Sequence, residues 1–307
     1  MATPRILILL ATYNGAPWLV EQINSMLDQE EVHVQIQITD DGSTDETRDL
    51  ILVNWRNETR VVLQPHSQGT GSAGANFRRM LRTADMAGYD YMALGDQDDI
   101  WHPRKLVNAV EKIRQSGANG YSCAVNSFWP DGRERVLAQV ARTTRCDFLF
   151  EGAGQGCTFV LTIDLGKRVQ RFCIDFVPAT EAMHYHDWLV YTLVRAWGLS
   201  WYFDPQAWLR YRQHGGNEIG SRGGLKSVFR RLDLIRNGWF KRQIFAALTV
   251  FKLANHDCAM VNHFDAMMRG PITPTRRVKL AVFFFQHGRR RLADRAVMMV
   301  AAIAGWT

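Results

Sequence analysis

The stretch Tyr91-Met92-Ala93-Leu94-Gly95-Asp96-Gln97-Asp98-Asp99 joins a short apolar run directly to three carboxylates. A short apolar run that is followed by glycine and polar residues is typical of a buried strand. Two similar runs also end at polar clusters: residues 6–10 lead to Thr12-Tyr13-Asn14, and residues 32–38 lead to Asp40-Asp41-Gly42-Ser43. Helical patterns separate these runs, which predicts an α/β fold with a mainly parallel sheet and helices on both faces.

The other predicted elements continue this alternation of strand and helix. We predict helices over residues 16–27, 75–84 and 103–115, and strands over residues 61–63 and 201–211. Residues 152–163 are predicted to form a glycine-rich loop and a strand, and residues 181–197 a dense polar group followed by a helix. The stretch Ser43-Thr44-Asp45-Glu46 has the pattern of a capping box, so we expect Ser43 to cap a helix that runs through Leu52. After Gly224 the pattern becomes helical and basic.

The three strand ends carry the first candidate site. In open α/β sheets, ligands bind outside the carboxyl ends of the strands. The three carboxylates of Asp96, Asp98 and Asp99 would repel one another without a cation, and their hard oxygens suit Mg²⁺ or Mn²⁺. The alternative is an acidic turn before the next helix, since carboxylates are favourable at helix N-termini. We expect Asp41 to accept a hydrogen bond from a nucleobase or a ribose.

Two later segments are also candidates. His184-Tyr185-His186-Asp187-Trp188 places a carboxylate beside two imidazoles, and Asp187 could serve as a general base. A zinc site is disfavoured there because no further closely spaced His or Cys ligands follow. In Tyr211-Arg212-Gln213-His214, Arg212 could pair with a phosphate and His214 could bind the metal, although a lone histidine is more often structural.

The segment Gly69-Thr70-Gly71-Ser72-Ala73-Gly74 matches the dinucleotide fingerprint G-x-G-x-x-G. The fingerprint requires a tight turn between a strand and a helix, whereas residues 65–68 separate this segment from the third predicted strand. We therefore expect a loop that enters a helix near a phosphate, and not a nicotinamide dinucleotide site.

Taken together, these motifs resemble those of family 2 glycosyltransferases with the GT-A fold, especially the bacterial rhamnosyltransferase-like branch. The resemblance covers about residues 5–220, and its pieces stand in family order. They are Ala11-Thr12-Tyr13-Asn14-Gly15, Thr39-Asp40-Asp41-Gly42-Ser43-Thr44-Asp45, Gly95-Asp96-Gln97-Asp98-Asp99-Ile100-Trp101, His186-Asp187-Trp188 and Tyr211-Arg212-Gln213-His214-Gly215-Gly216-Asn217. The segment 69–74 departs from the family, whose members more often have an Asn/Arg-containing pattern there.

The resemblance implies a role for each candidate. The nucleotide side of the site would comprise Thr12, Tyr13, Asn14 and Asp41. Asp96 and Asp98 would form the D-x-D motif, which holds a Mg²⁺ or Mn²⁺ ion and the donor diphosphate, with His214 as a further metal ligand. Asp187 would deprotonate the acceptor hydroxyl, which gives inversion at the anomeric carbon. Residues 152–157 would face the acceptor.

The charge is unevenly distributed. Residues 222–307 contain 16 Lys and Arg against 4 Asp and Glu, a net charge of +12, and the remaining residues carry 21 against 26, a net charge of −5. We predict a catalytic domain over residues 1–221 and a basic amphipathic helical region over residues 222–307. This region would contact an anionic membrane surface, with a helical cap or a homo-oligomer interface as alternatives. A nucleic-acid partner is not expected, because no recognised binding module accompanies the charge.

The expected function is inverting transfer of a sugar, with rhamnose favoured, from dTDP-rhamnose or a UDP-sugar to a glycan or lipid-linked acceptor in cell-surface polysaccharide synthesis. The alternatives are a Mg²⁺-dependent nucleotidyltransferase, which is disfavoured because residues 11–15 contain no Lys or Arg, and a non-catalytic nucleotide-sugar-binding protein. Five scattered cysteines and the lack of a recognisable signal peptide predict reduced thiols. We expect a cytoplasmic protein, peripheral at the cytoplasmic face of the inner membrane.

Overall fold

In the computed structural model, residues 2–66, 68–139, 141–215, 233–255 and 257–306 are described. In this part of the chain one sheet has the strand order β3-β2-β1-β4-β8-β6-β9-β5, and β7 pairs with β6. The strands are β1 (Arg5–Thr12), β2 (His33–Asp40), β3 (Val61–Leu63), β4 (Tyr91–Gly95), β5 (Ile100–Trp101), β6 (Gly120–Phe128), β7 (Glu134–Leu137), β8 (Val160–Thr162) and β9 (Trp201–Arg212).

Helices alternate with these strands in the first half of the chain; in the second half three helices lie between β8 and β9, and the others follow β9. The helices are α1 (Leu19–Leu27), α2 (Thr47–Asn54), α3 (Ala73–Thr83), α4 (Lys105–Ser116), α5 (Ile163–Asp175), α6 (Val177–Glu181), α7 (His186–Ala196), α8 (Trp239–Ala254), α9 (Ala259–Arg269), α10 (Pro274–His287) and α11 (Leu292–Ala304). The predicted α/β alternation is confirmed, and the ends of most predicted elements differ by a few residues from those observed. The elements β5, β6, β7, α5 and α6 were not predicted.

The parallel half of the sheet determines where the site lies. β1 runs parallel to β2 and β4, and β2 runs parallel to β3. The register pairs Thr12 with Asp40 and Leu10 with Gly95, so the three predicted polar clusters emerge at one edge of the sheet. Beyond β4 the sheet is mixed, because β8 runs antiparallel to both β4 and β6 while β9 runs parallel to β6.

Side chains of β1 alternate between the two faces of the sheet, as the pleat of a strand requires. Ile6, Ile8 and Leu10 pack in one cluster with residues of α1 and α4. Leu7 and Leu9 pack in a second cluster on the other face, with residues of α3, α5 and α7. Both faces are therefore covered by helices, as the sequence predicts.

The helices after residue 238 belong to this second cluster. Phe264 of α9 and Phe284 of α10 each lie 5.4 Å, between ring centroids, from Phe150, and both contacts are edge-to-face. The basic C-terminal region is helical as predicted, and its described helices share a hydrophobic core with the sheet. The predicted domain boundary at residues 221 and 222 lies outside the described residues. Within those residues, no helix is both long enough and apolar enough to cross a bilayer.

Ser43 does not cap the second helix, so this prediction is wrong. α2 begins only at Thr47, and no side chain caps it. The Ser43 hydroxyl instead donates to Asp40 at 2.5 Å and accepts from the backbone N–H of Asn14 at 2.8 Å. The hydroxyl is used to join two strand ends, a long-range pairing that the local pattern does not reveal.

Candidate active site

Gln97 joins the loop after β1 to the loop after β4. Its carboxamide donates to the carbonyl of Tyr13 at 2.8 Å and accepts from the Tyr13 N–H at 2.8 Å. Gly15 makes this approach possible, because a Cβ at this position would collide with the Gln97 carboxamide. Sequence reasoning gave no role to the middle residue of the D-x-D motif, yet its two hydrogen bonds set the distance between the two loops.

Asn14 joins the loop after β1 to the loop after β2. It has a φ of 47°, in the left-handed region where Asn is among the better-tolerated residues. Its N–H donates to the Ser43 hydroxyl, and its side-chain oxygen accepts from the Thr44 N–H at 2.8 Å. Thr12 is buried and donates to Asp40 at 3.0 Å, whereas the ring of Tyr13 is 56% exposed. The predicted nucleotide-side residues are thus brought together at one sheet edge, with Tyr13 open to solvent.

Asp40 and Asp41 are neighbours with different tasks. Asp40 is buried and accepts from Thr12 and from the N–H of Ser43, so it organises the strand ends. Asp41 accepts from the N–H of Thr70 at 2.7 Å, from the Thr70 hydroxyl at 3.0 Å and from the N–H of Gly71 at 3.1 Å. Arg79 pairs with the same carboxylate at 3.1 Å. Asp41 therefore holds the glycine-rich loop in place. A nucleotide that contacts Asp41, as predicted, would have to bind a carboxylate that already accepts hydrogen bonds from this loop.

The D-x-D carboxylates lie at the carboxyl end of β4. Nε2 of His214 is 2.7 Å from Oδ2 of Asp98, and the imidazole stacks on the Trp18 ring at a centroid distance of 4.0 Å. Asp98 is buried and Asp96 is half-buried. Of the three predicted metal ligands, Asp98 and His214 are therefore in contact, whereas the side chains whose ligand atoms lie together around Asp96 are Asp99 and Cys157.

Asp99 supplies a test of whether a cation fits this cluster. It is fully buried, and its Oδ2 has no hydrogen-bond partner among the described residues. Burial, together with the nearby charges of Asp98 and Asp96, holds the pKa of Asp99 well above its usual range. One ligand atom each of Asp96, Asp99 and Cys157 lies within 4.8 Å of the other two. An unsatisfied buried oxygen beside two further carboxylates fits a divalent cation with oxygen ligands.

Lys105 lies behind the carboxylates and was not singled out by sequence reasoning. It is fully buried, with its Nζ 3.3 Å from the centroid of the Trp101 ring and without a hydrogen-bond partner among the described residues. Burial lowers the pKa of Lys105 to about 8, while Cys123, Cys157 and Asp99 act in the opposite direction. A buried ammonium group offsets part of the negative charge of the site. The only sequence signal is a lysine on the otherwise apolar face of α4.

Arg212 lies at the site, where it forms hydrogen bonds and an ion pair with other residues of the protein. Its Nε donates to the carbonyl of Asp98 at 2.9 Å, and its backbone N–H donates to Oδ1 of Asp99 at 3.3 Å. Its guanidinium pairs with Glu21. These contacts hold the D-x-D loop against the end of β9, and the predicted contact with a phosphate stays a prediction.

Asp187 lies in the first turn of α7, and its Oδ1 accepts from the N–H of Trp188 at 2.6 Å. His186 stacks on Phe77 at a centroid distance of 3.9 Å, and burial lowers its pKa to about 3. His186 is therefore a neutral core histidine at neutral pH. A Cβ on Gly156 would collide with the His186 ring, and the next residue, Cys157, contacts Asp99. Residues 156–157 thus connect the start of α7 to the carboxylate cluster.

Side chains of two further helices form hydrogen bonds with the backbone of the segment before α7. Arg78 of α3 donates to the carbonyl of Met183 at 2.6 Å, and Gln243 of α8 accepts from the N–H of His184 at 2.8 Å. Gln243 also donates to the carbonyl of Ala182 at 3.2 Å. The position of Asp187 therefore depends on the C-terminal helices as well as on the sheet.

Comparison with known proteins agrees with this geometry. The sequence profile of Glycosyl transferase family 2 matches residues 7–167. The chain is also 33% identical over 297 residues to the dTDP-rhamnosyl transferase RfbG of Shigella flexneri, covering 96% of this chain and 99% of that one. The chain belongs to glycosyl transferase family 2. The glycosyltransferase assignment made from the motifs is thereby confirmed.

Solved structures show the same fold for this family 2 glycosyltransferase. TarS of Staphylococcus aureus, in complex with UDP-GlcNAc, aligns with a TM-score of 0.55 and 15% identity over 98% of this chain and 87% of that one. The mannosyltransferase PcManGT of Pyrobaculum calidifontis, in complex with GDP-Man and Mn²⁺, aligns with a TM-score of 0.52 and 15% identity over 99% and 86%. The predicted GT-A fold is confirmed.

Proposed function

We propose that this glycosyltransferase moves a sugar, with rhamnose favoured, from dTDP-rhamnose or a UDP-sugar to a glycan or lipid-linked acceptor in cell-surface polysaccharide synthesis. The observation that carries the proposal is the carboxylate cluster of the D-x-D motif. It is joined to His214 through Asp98 and to the nucleotide-side loop through Gln97. The similarity to a dTDP-rhamnosyl transferase over nearly the whole chain supports rhamnose as the sugar.

The proposed donor site divides into a nucleotide side and a diphosphate side. Tyr13 and Asn14 contribute to the nucleotide side, where the exposed Tyr13 ring offers a stacking surface. Asp96, Asp98 and His214 would hold Mg²⁺ or Mn²⁺. When bound, such an ion would neutralise the charge of the diphosphate leaving group. The complex of PcManGT with Mn²⁺ supports a divalent ion in this fold.

Asp187 is the proposed base. As a carboxylate it takes the proton of the acceptor hydroxyl while that oxygen forms a bond to the anomeric carbon and the bond from that carbon to the diphosphate oxygen breaks. Attack from the side opposite the leaving group inverts the anomeric configuration. Asp187 lies in the first turn of α7 and accepts a hydrogen bond from the N–H of Trp188. Neutral His186, with its pKa lowered to about 3, does not compete for this proton.

We also propose that the protein acts at the cytoplasmic face of the inner membrane as a peripheral protein. The net charge of +12 on residues 222–307 supports attraction to anionic lipids. A lipid-linked acceptor would be met at that surface. A homo-oligomer interface on the same region is the competing explanation.

Replacing Asp187 tests the proposed reaction. We expect Asp187→Asn to lower turnover at least ~100-fold, because the amide cannot accept the proton, and to leave donor binding unchanged. Donor binding is measured as the rise in Tm with dTDP-rhamnose and with a panel of UDP-sugars, each with Mn²⁺ or Mg²⁺, since a ligand of the native state stabilises it.

The matched control is Asp164→Asn, which changes an exposed aspartate in the first turn of another helix, α5. It should retain both donor binding and turnover. Undiminished turnover in Asp187→Asn would remove the base assignment. A Tm that no nucleotide sugar raises would remove the donor assignment.

A further inference from the structure

Exposed apolar side chains are concentrated near the C-terminal end of the described chain. Half of the exposed large apolar side chains in the described residues lie between residues 272 and 306. These residues are little more than a tenth of the described chain. Scattered single apolar residues are normal on a surface, but a concentration of this kind marks an interaction site.

Helix α11 presents a continuous apolar stripe to solvent. The stripe consists of Leu292, Ala296, Val300 and Ile303, and all four are exposed. Their spacing of four, four and three residues places them within about 80° on one side of the helix. The opposite side carries the buried residues Met298, Ala301 and Ala302. A solvent-facing helix surface normally carries charged residues, and this stripe carries none.

Helix α10, which packs against α11, has a second stripe. Val278, Val282 and Phe285 are exposed and follow the same spacing of four and three residues. Its other side, with Leu280, Phe283 and Phe284, is buried in the core. Two neighbouring helices therefore each bury one apolar face and leave another apolar face uncovered.

Charge distinguishes between the surfaces that could cover these stripes. Residues 272–306 contain seven Arg and Lys and one Asp. Arg276 and Arg290 are buried and held by protein groups, which leaves five at least partly exposed basic side chains against Asp294, a net charge of +4. A second copy of the chain would bring two such segments together, which like charges disfavour. An anionic lipid surface accepts the apolar stripes at the acyl boundary and neutralises the basic groups at the headgroups.

The turn between α10 and α11 also contacts the segment that supports the proposed base. Arg290 in this turn donates to the carbonyl of Gly152 at 2.6 Å, and Gly152 packs directly against the backbone of Trp188, next to Asp187. Thr144 donates to the carbonyl of Gly288 at 2.7 Å. The hairpin of α10 and α11 is therefore attached to the segment that packs against the first turn of α7, beside Asp187.

We propose that the α10–α11 hairpin docks on an anionic lipid bilayer through the stripes of α11 and α10. The docked hairpin places the segment beside Asp187 next to the membrane, where a lipid-linked acceptor is reached without leaving the bilayer. The docking gives the peripheral membrane association proposed above a defined surface, and the consequence for the acceptor rests in addition on the proposed sugar transfer. Lipid docking itself depends on the stripes and on the surrounding charge.

Vesicle flotation tests the docking surface. The full chain is mixed with vesicles of phosphatidylglycerol and phosphatidylcholine, or of phosphatidylcholine alone, at low and at physiological salt. We expect binding to the anionic vesicles and a loss of about tenfold or more in affinity for the double variant Val300→Ser/Ile303→Ser, whose side chains are 56% and 53% exposed. Because both positions are exposed, the variant should keep the fold and Tm of the unmodified protein.

The matched control is Leu52→Ser/Val53→Ser, which changes two aliphatic side chains that are 55% and 76% exposed on α2. It should bind vesicles like the unmodified protein. Equal vesicle binding of the two double variants overturns the proposal. So does a stripe variant that binds vesicles normally but changes from oligomer to monomer in sedimentation velocity, because the face is then a subunit interface.

Asp187→Asn separates this proposal from the proposed function. It should bind anionic vesicles like the unmodified protein whatever its effect on turnover. If the sugar-transfer assignment is wrong, the vesicle result is unaffected. If the protein does not bind vesicles, its turnover on a water-soluble acceptor is unaffected.

Discussion

Asp98 and His214 are separated by 116 positions in the chain, yet their side chains are 2.7 Å apart. Both residues in this pair have a second support: the His214 ring stacks on Trp18, and the backbone carbonyl of Asp98 accepts from Arg212. Side chains that are held on several sides lose little conformational freedom when a ligand binds. The pair is thus preorganised for the ion that we propose.

At this residue we predict that His214→Ala lowers the affinity for Mn²⁺ at least ~tenfold, because one of the proposed ligand side chains is lost. The measurement is the rise in Tm with Mn²⁺ concentration in the presence of the nucleoside diphosphate. His33→Ala is the control, since His33 is exposed at the amino end of β2, at the opposite edge of the sheet. The same Mn²⁺ dependence in both variants would show that His214 is not a ligand.

Asp40 and Asp41 are adjacent carboxylates that have different hydrogen-bond partners in the folded protein. Asp40 is the last residue of β2 and Asp41 follows it, and the two look alike in the sequence. The pleat sends Asp40 toward Thr12 and Ser43 and leaves Asp41 facing Thr70, Gly71 and Arg79. Which partner a carboxylate meets depends on the chain segment that packs beside it.

At the scale of elements, α7 is the helix whose position matters most for the proposed reaction. Gly152 approaches it closely, since an added Cβ would lie 3.1 Å from the N–H nitrogen of Trp188. Gly152 is in turn held by Arg290, which also pairs with Asp147 at 3.1 Å. The first turn of α7 is therefore held by a turn that lies more than a hundred residues further along the chain.

For this contact we predict that Arg290→Met lowers the free energy of unfolding by about 3–5 kcal/mol, because it leaves part of a buried ion-pair network without its cation. Turnover should fall while the Tm rise with donor is kept, since the donor site lies on other elements. Urea unfolding and steady-state kinetics measure the two effects.

Arg277→Met is the control on the same hairpin. Arg277 is half-buried, and among the described residues its Nη1 has one hydrogen-bond acceptor, the carbonyl of Ile303 at 3.5 Å. This change should cost less than about 1 kcal/mol. If both variants unfold at the same urea concentration, the network around Arg290 does not stabilise the protein in the way we infer.

At the scale of the whole molecule, the C-terminal helices complete the hydrophobic core on one face of the sheet. Phe148 stacks on Phe251 of α8 at a centroid distance of 4.8 Å, and Trp188 lies 6.1 Å from Phe240 of the same helix. Removing these helices would expose aromatic residues that are now buried. The C-terminal region is therefore part of the folded unit in structural terms, whatever surface it binds.

We predict that residues 1–221 alone do not form a stable monomer. The lost aromatic burial amounts to several side chains, each worth about 1.5–3 kcal/mol, against a total stability of about 5–15 kcal/mol for a typical protein. Gel filtration and binding of a hydrophobic dye report the exposed core. Co-expression with residues 222–307 should restore a compact complex. Cooperative unfolding of the isolated fragment at nearly full stability would contradict the prediction.

Much of the fold was predictable because its signals are local. The apolar runs of β1, β2 and β4 and the periodic patterns of α3 and α4 are each contained within a dozen residues. Periodicity and strand-end position therefore predicted the layered α/β fold and the edge that carries the D-x-D motif. The use of Ser43 was mistaken for the same reason: its local pattern matches a helix cap, but a distant strand end competes for the hydroxyl.

The sequence by itself determined which residue types stand at the strand ends, since strand, turn and carboxylate are consecutive in the chain. Only the tertiary structure decided that His214 meets Asp98, that Lys105 lies buried behind the carboxylates, and that Arg290 supports the segment beside Asp187. The physical reason is the range of the interactions involved. Backbone preference and periodicity act over a few residues, whereas burial, ion pairing and close contact depend on segments that only folding brings together.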